Sequence, residues 1–89
     1  MKESVIITIS GRVQGVGFRY FVKQKAEVCG IYGFVKNLPD MQVYIEAEGN
    51  RANLQVFIAM CKQGPSHARV EKAEVQFCPL QYFKDFSIK

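Results

Sequence analysis

An α+β sandwich, two helices on one face of an antiparallel sheet, is the fold class this sequence predicts. Two stretches each carry a single apolar stripe at helical spacing, and the stretches around them alternate apolar and polar residues. Their order is strand, helix, strand, strand, helix, strand, with a short C-terminal strand after it. That is the βαββαβ, split βαβ or ferredoxin-like, pattern. One stripe per helix places both helices on the same side of the sheet.

Residues 4–10 are the first predicted strand, with Val5, Ile7 and Ile9 on one face and Ile6, Thr8 and Ser10 on the other. Apolar residues on both faces suit a central strand. A helix over 19–29 follows on the stripe Phe18, Val22, Ala26 and Cys29. Strands at 31–37 and 42–48 come next, joined by the turn Leu38-Pro39-Asp40-Met41, with Pro39 pre-set for the first corner. Asn50 caps a helix over 51–63, whose stripe is Leu54, Phe57, Ile58 and Cys61, and Gly64-Pro65 ends it. In the strand at 69–78, Ala73, Val75 and Phe77 alternate with charged or polar neighbours, but Val70 is out of phase. A bulge near Glu71 is therefore expected. The segment from Phe83 to Ile88 adds the short last strand. This topology sets the strand at 42–48 between those at 4–10 and 31–37. The two outer strands then run the same way and end at one edge, on the order of 9–10 Å apart. The loop after the first strand and Asn37 at the end of the second are expected to face each other across that gap.

The 89 residues suit one domain, 1–89. A net charge of +4 suits an anionic partner. No apolar run approaches the roughly 20 residues that cross a bilayer. The start, Met1-Lys2-Glu3-Ser4, resembles no secretory leader. A cytoplasmic monomer without a membrane partner is expected. Cys29, Cys61 and Cys78 are odd in number and widely spaced, which argues against a disulfide framework or a zinc site.

The most telling stretch is Gly11-Arg12-Val13-Gln14-Gly15-Val16-Gly17-Phe18-Arg19, between the first strand and the first helix. Gly15 and Gly17 let backbone N–H groups approach a ligand and converge on it. The helix N-terminus favours an anion. Arg19 adds a planar cation able to hold two phosphate oxygens. The Walker and dinucleotide patterns are absent, and no cysteine precedes the arginine at the spacing of a phosphocysteine mechanism. No paired carboxylates or metal ligands lie near the loop in sequence, and the one histidine, His67, sits in a connection after the second helix. The loop thus offers donors and charge without a nucleophile, acid or base. A phosphate ester of an alcohol needs an acid or a metal to leave. A mixed carboxylic–phosphoric anhydride leaves as a carboxylate, with a conjugate-acid pKa of about 4. Positioning and charge stabilisation suffice for it.

That loop and Gly33-Phe34-Val35-Lys36-Asn37 closely resemble the two signatures of acylphosphatases. The likeness continues through Glu46-Ala47-Glu48-Gly49, Gly64-Pro65-Ser66-His67-Ala68-Arg69-Val70-Glu71 and Phe86-Ser87-Ile88. The resemblance implies hydrolysis of small acyl phosphates to a carboxylate and inorganic phosphate, with no metal and no cofactor, and with phosphate as product and inhibitor. It implies that Arg19 and the backbone amides of Val13, Gln14, Gly15, Val16, Gly17 and Phe18 hold the phosphate. It implies that Asn37 orients the attacking water, whose proton is taken up with help from the substrate phosphate itself. One position departs: the family usually has glycine where this chain has Met41. A left-handed methionine costs roughly 1 kcal/mol or more, so either the turn type differs or stability is lost.

Phe18, Tyr20 and Phe21 read as packing residues, and Arg12 and Lys36 as solvated charges. RNA-recognition modules share the element order, and Tyr32-Gly33-Phe34-Val35 echoes part of their aromatic motif. The echo falls on the wrong strand and the first strand carries no stacking aromatic, so no nucleic acid partner is expected.

Overall fold

A computed structural model describes residues 1–89. Val5, Ile7 and Ile9 are fully buried, as are Val43, Ile45 and Ala47. These alternate positions make the face on which the helices lie. The elements are β1 (Lys2–Arg12), α1 (Phe18–Cys29), β2 (Tyr32–Asn37), β3 (Val43–Asn50), α2 (Arg51–Gln63), β4 (Arg69–Cys78) and β5 (Phe86–Ile88). They form one five-stranded sheet in the order β4-β1-β3-β2-β5. Phe18, Val22 and Ala26 of α1 and Leu54, Phe57 and Cys61 of α2 complete the core. Burial pushes the Cys61 thiol well above its ordinary pKa, and the nearby Cys29 adds to that. All three cysteines are free.

The sheet is mixed rather than wholly antiparallel as expected, because β5 pairs parallel to β2. The route of the chain explains this. β4 and β5 lie at opposite edges, so the residues between them must cross the sheet. They do so over the face without helices. The buried Glu48 carboxylate accepts hydrogen bonds from the Gln81 N–H at 2.8 Å and the Phe83 N–H at 2.7 Å. The Phe83 ring meets Phe34 edge-on, with centroids 5.9 Å apart. The chain reaches β2 level with Gly33, opposite Phe86, and continues in the direction β2 already takes.

Element boundaries shift for similar reasons. β1 is longer than its apolar run because it pairs from Lys2↔Asn50 to Arg12↔Arg69. Ile31 stays outside β2: its N–H donates to the Ala26 carbonyl at 2.8 Å and closes the end of α1. The expected bulge is present. Ser10 faces Lys72 and Gly11 faces Val70, so Glu71 has no opposite number.

One register decides where the functional residues fall. Val43 of β3 pairs with Ile9 on one side and with Asn37 on the other. Asn37 is thus level with the last buried residue of β1, two strand spacings away, on the order of 9–10 Å.

Candidate active site

Beyond Arg12 the chain leaves the sheet, and its return is set by two core anchors. Val13 is 1% exposed and Phe18 2%. Between them the loop arches outward through Gly15 at φ 74° and Gly17 at φ 77°, which a side chain would make costly by about 1 kcal/mol or more each. Gly17 caps α1 with no side chain to spend on its first amides. None of the 10 backbone hydrogen bonds outside helices and strands is donated by a residue from Val13 to Arg19. A helix start leaves its first N–H groups without intrahelical partners. Loop and helix together present a run of uncommitted donors. The first turn of α1 has no acidic residue, and Arg19 takes part in none of the chain's ion pairs.

Arg19 and Asn37 line one cavity of about 220 Å³. Its loop wall is Val13, Gly15, Gly17 and Phe18, and its remaining lining is Tyr20 and Ile88. The Asn37 Oδ1 is buried and accepts no hydrogen bond. Leaving a buried acceptor unsatisfied costs about 1–3 kcal/mol, which a native fold tolerates where function uses it.

Gln14 and Val16 line a second cavity of about 550 Å³ with Arg12, Gly15 and His67. Gly15 borders both cavities. The side chain of Gln14 has a task of its own. Its Nε2 donates to the Leu38 and Gln42 carbonyls, each at 2.8 Å. Gln42 in turn donates through its Nε2 to the Ser10 Oγ at 2.8 Å. The loop is thereby stitched to the turn that begins one residue after Asn37. Sequence reasoning gave Gln14 a backbone role only; nothing in periodicity or composition signals a partner 24 residues away.

Within that turn the Leu38 N–H donates to the Gln42 carbonyl at 2.8 Å and the Met41 N–H to the Leu38 carbonyl at 3.2 Å. Met41 has φ 75°. The methionine therefore occupies the left-handed conformation that glycine would suit.

Two smaller expectations need correction. Tyr20 does not pack: it is 71% exposed. Phe18 and Val22, one helical turn apart, face the core, and a residue two positions after Phe18 points nearly the opposite way. Lys36 is not simply solvated, since its Nζ lies 5.4 Å from the centre of the Tyr44 ring, within cation–π reach. The Tyr44 hydroxyl donates to the Glu46 Oε2 at 2.6 Å. Burial and the adjacent Glu46 carboxylate raise its pKa from 10.0 to about 12. Ile88, at the end of β5, is a cavity residue that sequence reasoning missed. Only the parallel pairing of β5 with β2, Val35↔Ile88, brings it there. No three His, Cys, Asp or Glu side chains gather to hold a metal ion. No helix is long and apolar enough to cross a membrane.

The chain is similar to known proteins over nearly its whole length. The sequence pattern of the Acylphosphatase family matches residues 5–88. An acylphosphatase of Archaeoglobus fulgidus is 45% identical over 82 residues, covering 92% of this chain and 92% of the relative. One from Thermus thermophilus is 43% identical over 84 residues, covering 94% of this chain and 96% of the relative. The crystal structure of acylphosphatase from Bacillus subtilis superimposes with a TM-score of 0.95 at 40% identity, covering 100% of this chain and 99% of that one.

Proposed function

The chain belongs to the acylphosphatase family, and on that premise we propose how this acyl phosphate hydrolase uses the cavity between α1 and β2. The N–H groups of Val13, Gln14, Gly15, Val16, Gly17 and Phe18, with the Arg19 guanidinium, hold the phosphoryl oxygens. A water whose O–H donates to the Asn37 Oδ1 attacks phosphorus in line with the acyl oxygen. The bond from the water oxygen to phosphorus forms and the bond from phosphorus to the acyl oxygen breaks. The electron pair leaves on the carboxylate, and the water's proton passes to a phosphoryl oxygen. No general acid is needed, because a group with a conjugate-acid pKa of about 4 leaves unprotonated. For the same reason no metal is invoked. Every group in the scheme belongs to one chain, so a monomer suffices.

The observation that carries the reading is Asn37: it lines the cavity that Arg19 lines, and its buried carbonyl oxygen has no donor. A water supplies that donor. The uncommitted amides of the loop support the phosphate half of the scheme. The test is steady-state hydrolysis of benzoyl and acetyl phosphate in the presence of a chelator. Asn37→Ala should lower kcat on the order of 10²–10³, the scale for removing a preorganised group. Its inhibition constant for inorganic phosphate should move little. Arg19→Ala should weaken phosphate inhibition and rate together. Full turnover in the asparagine variant would end its role with water.

A further inference from the structure

The cavity has an uncharged rim that the phosphate chemistry does not use. Tyr20 is 71% exposed and Ile88 39%, and both border the cavity of Arg19 and Asn37. They arrive from separate elements, the first turn of α1 and the last residue of β5. Core packing explains neither exposure. The buried stripe of α1 runs through Phe18, Val22 and Ala26, and β5 contributes Phe86 to the core. Ile88 follows Phe86 by two residues, so it faces the side of the sheet where α1 lies.

We propose that Tyr20 and Ile88 form a lip that receives the acyl group, and that it selects acyl phosphates with a large apolar acyl group over acetyl phosphate. This rests on the phosphate seat argued above. With the phosphoryl oxygens on Arg19 and the loop amides and the water on Asn37, the acyl group must leave past the rest of the lining. Val13 and Phe18 are buried and make the floor. Tyr20 and Ile88 remain. The other way out, over Gly15 toward Arg12 and His67, leads to a cavity lined mostly by polar side chains and glycine, and it suits an acyl group that carries a charge.

A phenyl ring offers Tyr20 and Ile88 far more apolar surface to cover than an acetyl methyl does. Removing about 50 Å² more apolar surface from water corresponds to roughly tenfold in affinity. Such contact is the same before and at the transition state, so it belongs in KM rather than kcat.

The experiment measures kcat/KM for benzoyl and acetyl phosphate and follows their ratio through Tyr20→Ala, Ile88→Ala and Tyr20→Phe. The ratio is internal to each preparation, so a partly unfolded variant does not distort it. Each alanine variant should lower the ratio by roughly 3–10-fold, through a higher KM for benzoyl phosphate. Tyr20→Phe should keep it, because the ring and not the hydroxyl makes the contact. An unchanged ratio in both alanine variants overturns the lip, as does a fall that appears in kcat alone. So does a phenylalanine variant that behaves like the alanine one. Faster turnover of succinyl phosphate than of benzoyl phosphate, lost in Arg12→Ala, would place the acyl group on the charged side instead. If the unaltered protein turns over neither substrate, the phosphate seat itself is wrong and the lip falls with it.

Discussion

Replacing Met41 by glycine should stabilise this protein, and the size of the effect follows from the turn. Met41 sits at φ 75°, where a side chain costs about 1–2 kcal/mol. Its side chain is 63% exposed, so truncation gives up little burial. Against this, glycine frees the unfolded chain by about 0.4–1 kcal/mol. The net gain is about 0.5–1 kcal/mol. An unfolding entropy of about 2.1 cal/mol/K per residue over 89 residues turns that into a Tm rise of about 3–5 °C. Thermal denaturation followed by circular dichroism reads it directly, and hydrolysis of acetyl phosphate should persist. Met41→Ala is the control. Alanine keeps the backbone penalty, so its Tm should not rise. A glycine variant that melts lower, or an alanine variant that gains as much, would refute the argument from backbone strain.

Other groups give equally definite expectations. Gln14→Leu removes both donations to the turn. Leu38 and Gln42 keep a backbone donor each, so the loss should stay near 1–2 kcal/mol in urea unfolding, while kcat falls further than stability alone explains, because Asn37 is no longer tied to the loop. Glu48→Ala removes the acceptor of two amide hydrogen bonds. Each bond to a charged group is worth about 1.5–3 kcal/mol, so a loss of roughly 3–6 kcal/mol should appear, with faster amide exchange at Gln81 and Phe83. Tyr44 has its folded pKa raised from 10.0 to about 12. Its neutral form is the one the fold favours, so this contribution is complete below pH 10 and fades as pH rises toward 12. Phenolate absorbance should show a step near pH 12, and Tyr44→Phe should remove that step.

What could be read from the sequence was local, and what could not was a matter of neighbours. The alternation of Val5, Ile7 and Ile9, the stripe of Leu54, Phe57 and Cys61, and the stray phase of Val70 each reflect one element's period. Gly15, Gly17 and Arg19, legible within nine residues as a group, do line one cavity with Asn37. The parallel course of β5, the arrival of Ile88 at the cavity and the reach of Gln14 depend instead on which strands lie side by side. Tyr20 reads as internal because it lies between two phenylalanines, although the stripe of Phe18, Val22 and Ala26 already puts it on the far side of the helix. Met41 shows how the two kinds of information meet. Its cost is visible in the sequence, but the reason the turn does not relax is not. Gln14 holds the carbonyls of Leu38 and Gln42, and the Leu38 N–H donates to the Gln42 carbonyl. A turn of another type would move one of those carbonyls out of reach. Relieving the strain that way would uncouple the loop from the strand end that carries Asn37. Glycine at this position removes the penalty while leaving the turn as it is, which is why the stabilising substitution should be the one that keeps activity.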